Sequence, residues 1–217
     1  MTITTLGGKV ARTIVALTSL AVVAGPAASL AQEATADDPV GLGGRVLLSN
    51  AGYAVTLPQD WLYIRPNQAD VDVILDEVAA VVPEYGPTVE AALAGGLGVS
   101  LVAFGDRTEG LPESCNILDR AADGRSVDAI AQEEVAKLGA LADIIASGPD
   151  LTFIELLAGR VARIDVGLRL PEIDAESTSY ILVDEERIHT LTCTDDARPA
   201  DAWDSIVGTF ELVPPTD

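Results

Sequence analysis

The stretch Gly159–Thr194, which opens GRVARIDVGLRL (159–170) and closes STSYILVDEERIHTLTCT (177–194), decides the architecture of this chain. In its first part Ile164, Val166 and Leu168 alternate with Arg163, Asp165 and Gly167. A period of two is the mark of a half-buried strand. Tyr180–Val183 is a short apolar run, and Asp184-Glu185-Glu186 reads as the hairpin turn after it. On the return strand His189, Leu191 and Cys193 share one face, while Ile188, Thr190 and Thr192 share the other. Three antiparallel strands with short connections follow. Leu191 and Cys193 should point inward, with His189 on the same face nearer the rim.

Upstream, strands are expected at Arg45–Ser49, Tyr53–Leu57 and Leu62–Arg65, with Pro58-Gln59-Asp60-Trp61 as a turn that delivers Trp61 to the core edge. Ala69–Val82 has helical spacing, with Val71, Ile74, Leu75, Val78 and Val82 on one stripe and Pro83 as its stop. A short helix over Thr88–Leu93 ends at Gly95-Gly96, and Val99–Phe104 is apolar enough for a central strand. Ser114–Arg120 reads as a strand holding Cys115. Ser126 is the predicted N-cap of a helix whose buried stripe includes Val127, Ile130, Ala131, Val135, Leu138 and Leu141. Gly148-Pro149 marks its end, and Leu151–Leu157 is the next strand. Pro199–Val207 is expected to be a last helix with Trp203, Ile206 and Val207 on the sheet, and Phe210–Val213 closes the domain. Without a regular βαβ alternation, this order predicts an α+β fold built on an antiparallel sheet.

Residues 1–31 read as a signal peptide: Lys9 and Arg12, an apolar run over Thr13–Ala24, and Ser29-Leu30-Ala31 before the cleavage point. Pro26 and Gly25 make the run a poor membrane span. No cysteine lies in or just after the leader, so lipidation is not expected and the protein should be secreted or associated with the cell envelope. Residues 32–43 are expected to be a flexible acidic linker, 44–213 a single domain and 214–217 a tail. Removing Lys9 and Arg12 with the leader takes the formal charge from −21 to −23. Such a surface repels phosphate backbones, which argues against nucleic acid as a partner.

The only two cysteines, Cys115 and Cys193, behind a secretory leader predict a disulfide rather than buried thiols. Their spacing rules out a redox CxxC pair, and a single histidine is too few for a zinc site. His189 is the one available imidazole base, but no GxSxG elbow accompanies it. Asp70-Val71-Asp72 and Asp184-Glu185-Glu186 are acidic stretches that could meet calcium, though neither is an EF-hand loop. Gly95-Gly96-Leu97-Gly98 precedes a strand, whereas a dinucleotide fingerprint follows one. Trp61, Tyr63, Tyr180 and Trp203 are the aromatics able to line a groove for a lipid-like ligand, if they do not simply fill the core.

The segments GYAVTLPQDW (52–61), SCNILDRAADGRSVDAIAQEEV (114–135), GRVARID (159–165), YILVDEERIHTLTC (180–193) and DAWDSIVGTFEL (201–212) together resemble the PsbP-like α-β-α sandwich. Within that group they look most like the LpqN/LpqT family of actinobacterial cell-envelope proteins. The resemblance covers nearly the whole mature domain and implies helices on both faces of the sheet. It carries no catalytic signature. One branch of the fold docks on photosystem II and another binds a small GTPase, so it implies a binding or assembly role. The lipidated cysteine of the LpqN pattern is missing here, and no binding residue transfers from those branches. The expected function is a secreted, non-catalytic envelope protein that binds a lipid-like ligand or a protein partner, with no cofactor. Two rivals stand beside it: an envelope hydrolase using acidic residues and His189, and a calcium-stabilised structural module.

Overall fold

A computed structural model describes residues 39–66, 69–81, 83, 86, 89–90, 93, 99–105, 113–169, 174–184, 186–196 and 203–213. The leader, most of the linker, half of the helix expected at Thr88–Leu93, Gly95–Gly98, Glu185, the first four residues of the helix expected at Pro199–Val207 and the tail lie outside the described residues. Among the described residues nine strands form one sheet: β1 (Val40–Leu48), β2 (Tyr53–Ile64), β3 (Val99–Phe104), β4 (Ser114–Ala121), β5 (Ile145–Leu156), β6 (Gly159–Arg169), β7 (Asp174–Val183), β8 (Arg187–Asp195) and β9 (Glu211–Leu212). Their order is β1-β2-β3-β4-β8-β7-β6-β5, with β9 on β2, and every pairing is antiparallel. Two meanders, β1–β4 and β5–β8, therefore meet along a single seam between β4 and β8.

The alternation read in 159–170 holds: Val161 belongs to one core, while Ala162 and Ile164 belong to another on the opposite face. The first face buries Trp61, Tyr63, Leu101, Ile117, Tyr180 and Leu191 under the short helix α3 (Asp204–Val207) and Phe210. The opposite face carries α1 (Val71–Val81) over Leu62, Ile64 and Phe104, and α2 (Val127–Gly139) over Ile164, Ile181 and Ile188. Helices thus lie on both faces, and the layering is α-β-α. In α2 the Ser126 side chain accepts from Ala129 N at 3.3 Å, so the cap legible in the sequence is the one used. Ile130 and Ala131 are fully buried, and Val127, Val135 and Leu138 pack partly against the same core. In α1, Ile74 and Val78 are buried as expected, but Val71 is exposed because it stands at the first turn, beyond the sheet.

Three boundaries differ from the sequence reading. Val40–Gly43 is not linker: it is the start of β1, paired as Val40↔Ile64, Gly41↔Tyr63 and Leu42↔Leu62. Its glycines serve close approach, since a Cβ on Gly41 would collide with the Tyr63 ring and one on Gly43 with the Pro58 backbone. Pro58–Trp61 is not a turn but an irregular bulge inside the continuous strand β2, where the register passes from Gly44↔Leu57 to Leu42↔Leu62. A bulge suits proline, which has no N–H to give to the ladder. Gly148-Pro149 does not end α2, which closes at Gly139; it sits inside β5, within the register shift between Ser147 and Asp150.

Candidate functional site

The seam brings together the residues with the most chemistry. Cys115 and Cys193 are direct cross-strand partners and form a disulfide. Counting along the ladder, Ile117 faces Leu191, and Asp119 faces His189. The His189 imidazole is 0 % exposed, deeper than the rim position expected for it. Its Nδ1 lies 2.7 Å from Asp119 Oδ1, and its Nε2 lies 3.4 Å from Asp184 Oδ2. The rings of Tyr53 and Phe210 pack against it with centroids at 5.3 and 5.6 Å. The Tyr53 and Phe210 rings against it account for the depth.

Asp184 is the last residue before the β7–β8 turn, and its Oδ1 accepts the Glu186 backbone N–H at 2.8 Å and that of Arg187. Burial works to raise the Asp184 carboxyl, but the Arg187 and Glu186 N–H groups and His189 outweigh it and hold the group below the usual carboxylate range. The stretch therefore spends its acidic oxygen on its own turn. Among the described residues no group of three or more His, Cys, Asp or Glu side chains could hold a metal ion. Beside the seam a cleft is lined by Asp119, Arg120, Ala121, Glu186 and Arg187. Arg120 is tied to Glu134 at 2.7 Å, and Arg187 donates to the Asn50 carbonyl at 2.7 Å.

The nearest hydroxyl chemistry is already engaged. Ser100 Oγ lies 2.6 Å from the Tyr53 hydroxyl and donates to the Ile117 carbonyl, so it is not poised on His189. Burial, with Asp119 adding to it, pushes the Tyr53 phenol well above its ordinary value. A buried imidazole flanked by two carboxylates and walled by rings cannot touch a substrate unless the fold opens. Its arrangement is that of a clamp joining β4, β8 and the β7–β8 turn.

The four aromatics considered for a groove are core residues. Trp61 is 2 %, Tyr63 0 %, Tyr180 0 % and Trp203 1 % exposed. The Trp61 and Trp203 rings meet edge to face at 6.0 Å, and Trp203 is where α3 joins the sheet. They fill the space between sheet and α3. The Tyr180 hydroxyl donates to Asp204 Oδ1 at 2.6 Å, and Arg163 reaches both Asp165 and Asp204. Burial first, then the bond to Asp204, raises the Tyr180 phenol far above its ordinary range. This second cluster fastens α3 to β6 and β7. Sequence reasoning missed Asp119, Asp204 and Tyr53 as partners, although the parity of Asp119 with Cys115 was there to be counted.

No protein-family model matches the chain, and no curated protein matches it. Among solved structures it is similar to cyanobacterial PsbP (CyanoP) from Synechocystis sp. PCC 6803, in a solution structure, at a TM-score of 0.48 and 10% identity. The superposition covers 87% of this chain and 99% of that one.

Proposed function

We propose that the chain is an exported, non-catalytic binding protein of the cell envelope, LpqN-like in kind, which works through its outer surface on a protein partner. The closed interior is the observation that carries this reading. The aromatics that would have lined a lipid groove, and the one imidazole that would have served a hydrolase, are enclosed by packing. In the cleft beside the seam, Arg120 and Arg187 are already tied to Glu134 and the Asn50 carbonyl. The disulfide is the mark of an oxidising, extracytoplasmic environment, in agreement with the secretory leader. Among the described residues no helix is long and apolar enough to cross a membrane. A formal charge of −21 favours a cationic partner and repels nucleic acid.

The test is native mass spectrometry and chemical crosslinking of the protein in its own envelope fraction. A protein without small ligand that crosslinks to a defined partner supports the reading. A discrete bound lipid mass would return the function to ligand carriage. Hydrolysis of an envelope glycolipid that is lost in His189→Ala would make it an enzyme.

A further inference from the structure

The sheet ends at β5, whose outer edge has no strand beside it among the described residues. An edge strand offers every second backbone N–H and C=O to a newcomer, and folded proteins blunt such edges with charge, proline or bulges. The opposite edge, β1, is blunted: it is glycine-rich and broken by a register shift. In β5 the register shifts and Pro149 occupy only the first half. From Asp150↔Asp165 to Leu156↔Gly159 the ladder with β6 runs without interruption. That half reads DLTFIEL, is followed by Leu157 at 96 % exposure, and carries two charges, Asp150 at its start and Glu155 near its end. Between those two acids the edge is regular and β-prone, with no basic residue of its own.

The charges at its ends say what kind of strand fits. Asp150 and Glu155 are exposed, and among the described residues neither takes part in an ion pair. Arg160 stands opposite Glu155 in the ladder but is committed to Asp128 on α2 at 2.8 Å, and its guanidinium covers the Phe153 ring at 4.1 Å. The inner neighbour thus leaves Glu155 free to pair outward. A second copy of this chain would bring more carboxylates to carboxylates; a basic strand would neutralise them.

We propose that the Asp150–Leu157 edge of β5 is a docking site for an extended segment of a cationic protein, which adds to the sheet as a further strand. Backbone hydrogen bonds supply the attachment, and basic residues opposite Asp150 and Glu155 supply the selectivity. The site rests on the protein-binding reading above and assigns it a place.

Two synthetic peptides with the same alternating Val/Thr core, one bearing two lysines and the other two glutamates, test this on the full disulfide-intact protein. The lysine peptide should bind saturably and shift the amide resonances of Leu151–Leu156. The glutamate peptide should not. Asp150→Lys/Glu155→Lys, two exposed changes, should weaken the lysine peptide roughly tenfold, since each reversed pair is worth up to about 1 kcal/mol. Silence of the β5 amides, equal binding of both peptides, or unchanged affinity in the charge-reversed protein would overturn the site. So would concentration-dependent self-association that shifts the same amides, which would assign the edge to a second copy. If β5 is silent while the protein still crosslinks to an envelope partner through another face, the docking site falls and the binding function stands.

Discussion

Removing the seam disulfide should cost the domain a large part of its stability. Cys115 and Cys193 are separated by 78 residues, and in the chain-entropy model a loop of that size restricts the unfolded chain by about 4.5 kcal/mol at room temperature. Folded domains are stable by only about 5–15 kcal/mol, so the bridge is worth between a third and most of the total. Both residues are buried one pair in from the Ser114↔Thr194 end of the β4–β8 ladder, and the pairs beyond them, Ile117↔Leu191 and Asp119↔His189 among them, hold the register without covalent help. The native fold should therefore survive the loss, and the cost should appear in the unfolded state. The perturbation is Cys115→Ala/Cys193→Ala, followed by urea unfolding beside the oxidised parent. With a slope of roughly 2 kcal/mol per molar urea, the midpoint should fall by about 2 M, and the slope should rise as the released chain expands. A midpoint shift under about 0.5 M with an unchanged slope would refute the reasoning, because the unfolded ensemble would then not be restrained by the bridge.

Three further outcomes follow from the geometry. His189→Ala should lower stability by about 3 kcal/mol in the same urea assay, because Asp119 and Asp184 would lose the ring nitrogens they bond and Tyr53 and Phe210 would face the cavity left by the imidazole. Gly41→Ala should cost about 1–3 kcal/mol by calorimetry, since the added methyl must displace the Tyr63 ring; no loss would mean that β1 gives way there. The domain should unfold in alkali. Tyr53 and Tyr180 have raised phenol values when folded, so their contribution is intact below the unfolded value of about 10 and is lost as pH rises above it. Phenolate absorbance followed against pH should show Tyr53 and Tyr180 titrating only with unfolding, and Tyr180→Phe should take one tyrosine out of that step.

Alternation and turn chemistry made the β6–β7–β8 meander legible in the sequence, although β8 buries both faces, Leu191 and Cys193 on one and Ile188 and Thr192 on the other. The cap at Ser126 was equally local. What was misread depended on partners far along the chain. Gly41 and Gly43 look like linker glycines until Tyr63 and Pro58 lie against them, and Pro58 looks like a turn until β1 pairs on both sides of it. For the aromatics, sequence shows their type but not how they pack, so core and groove stood side by side until the burial of Trp61, Tyr63, Tyr180 and Trp203 with Phe210 was seen. The clamp at His189 was nearer to hand: pairing Cys115 with Cys193 fixes an antiparallel register, and four residues along it Asp119 must face His189. The contribution of Asp184 was hidden, because the turn that aims it depends on its own backbone bonds.

The two-meander layout also sets the order in which such a chain can acquire structure. All strand pairings except β4–β8 and β2–β9 join neighbours in sequence, so most of the ladder closes over short loops. Low contact order of this kind speeds folding, and the slow, entropically costly step is confined to docking one half against the other. A chain leaving a ribosome or an export channel amino end first can therefore assemble β1–β4 while β5–β8 is still threading. During that interval β4, a central strand in the finished sheet, is an open edge, and its sulfur waits for a mate that has yet to emerge.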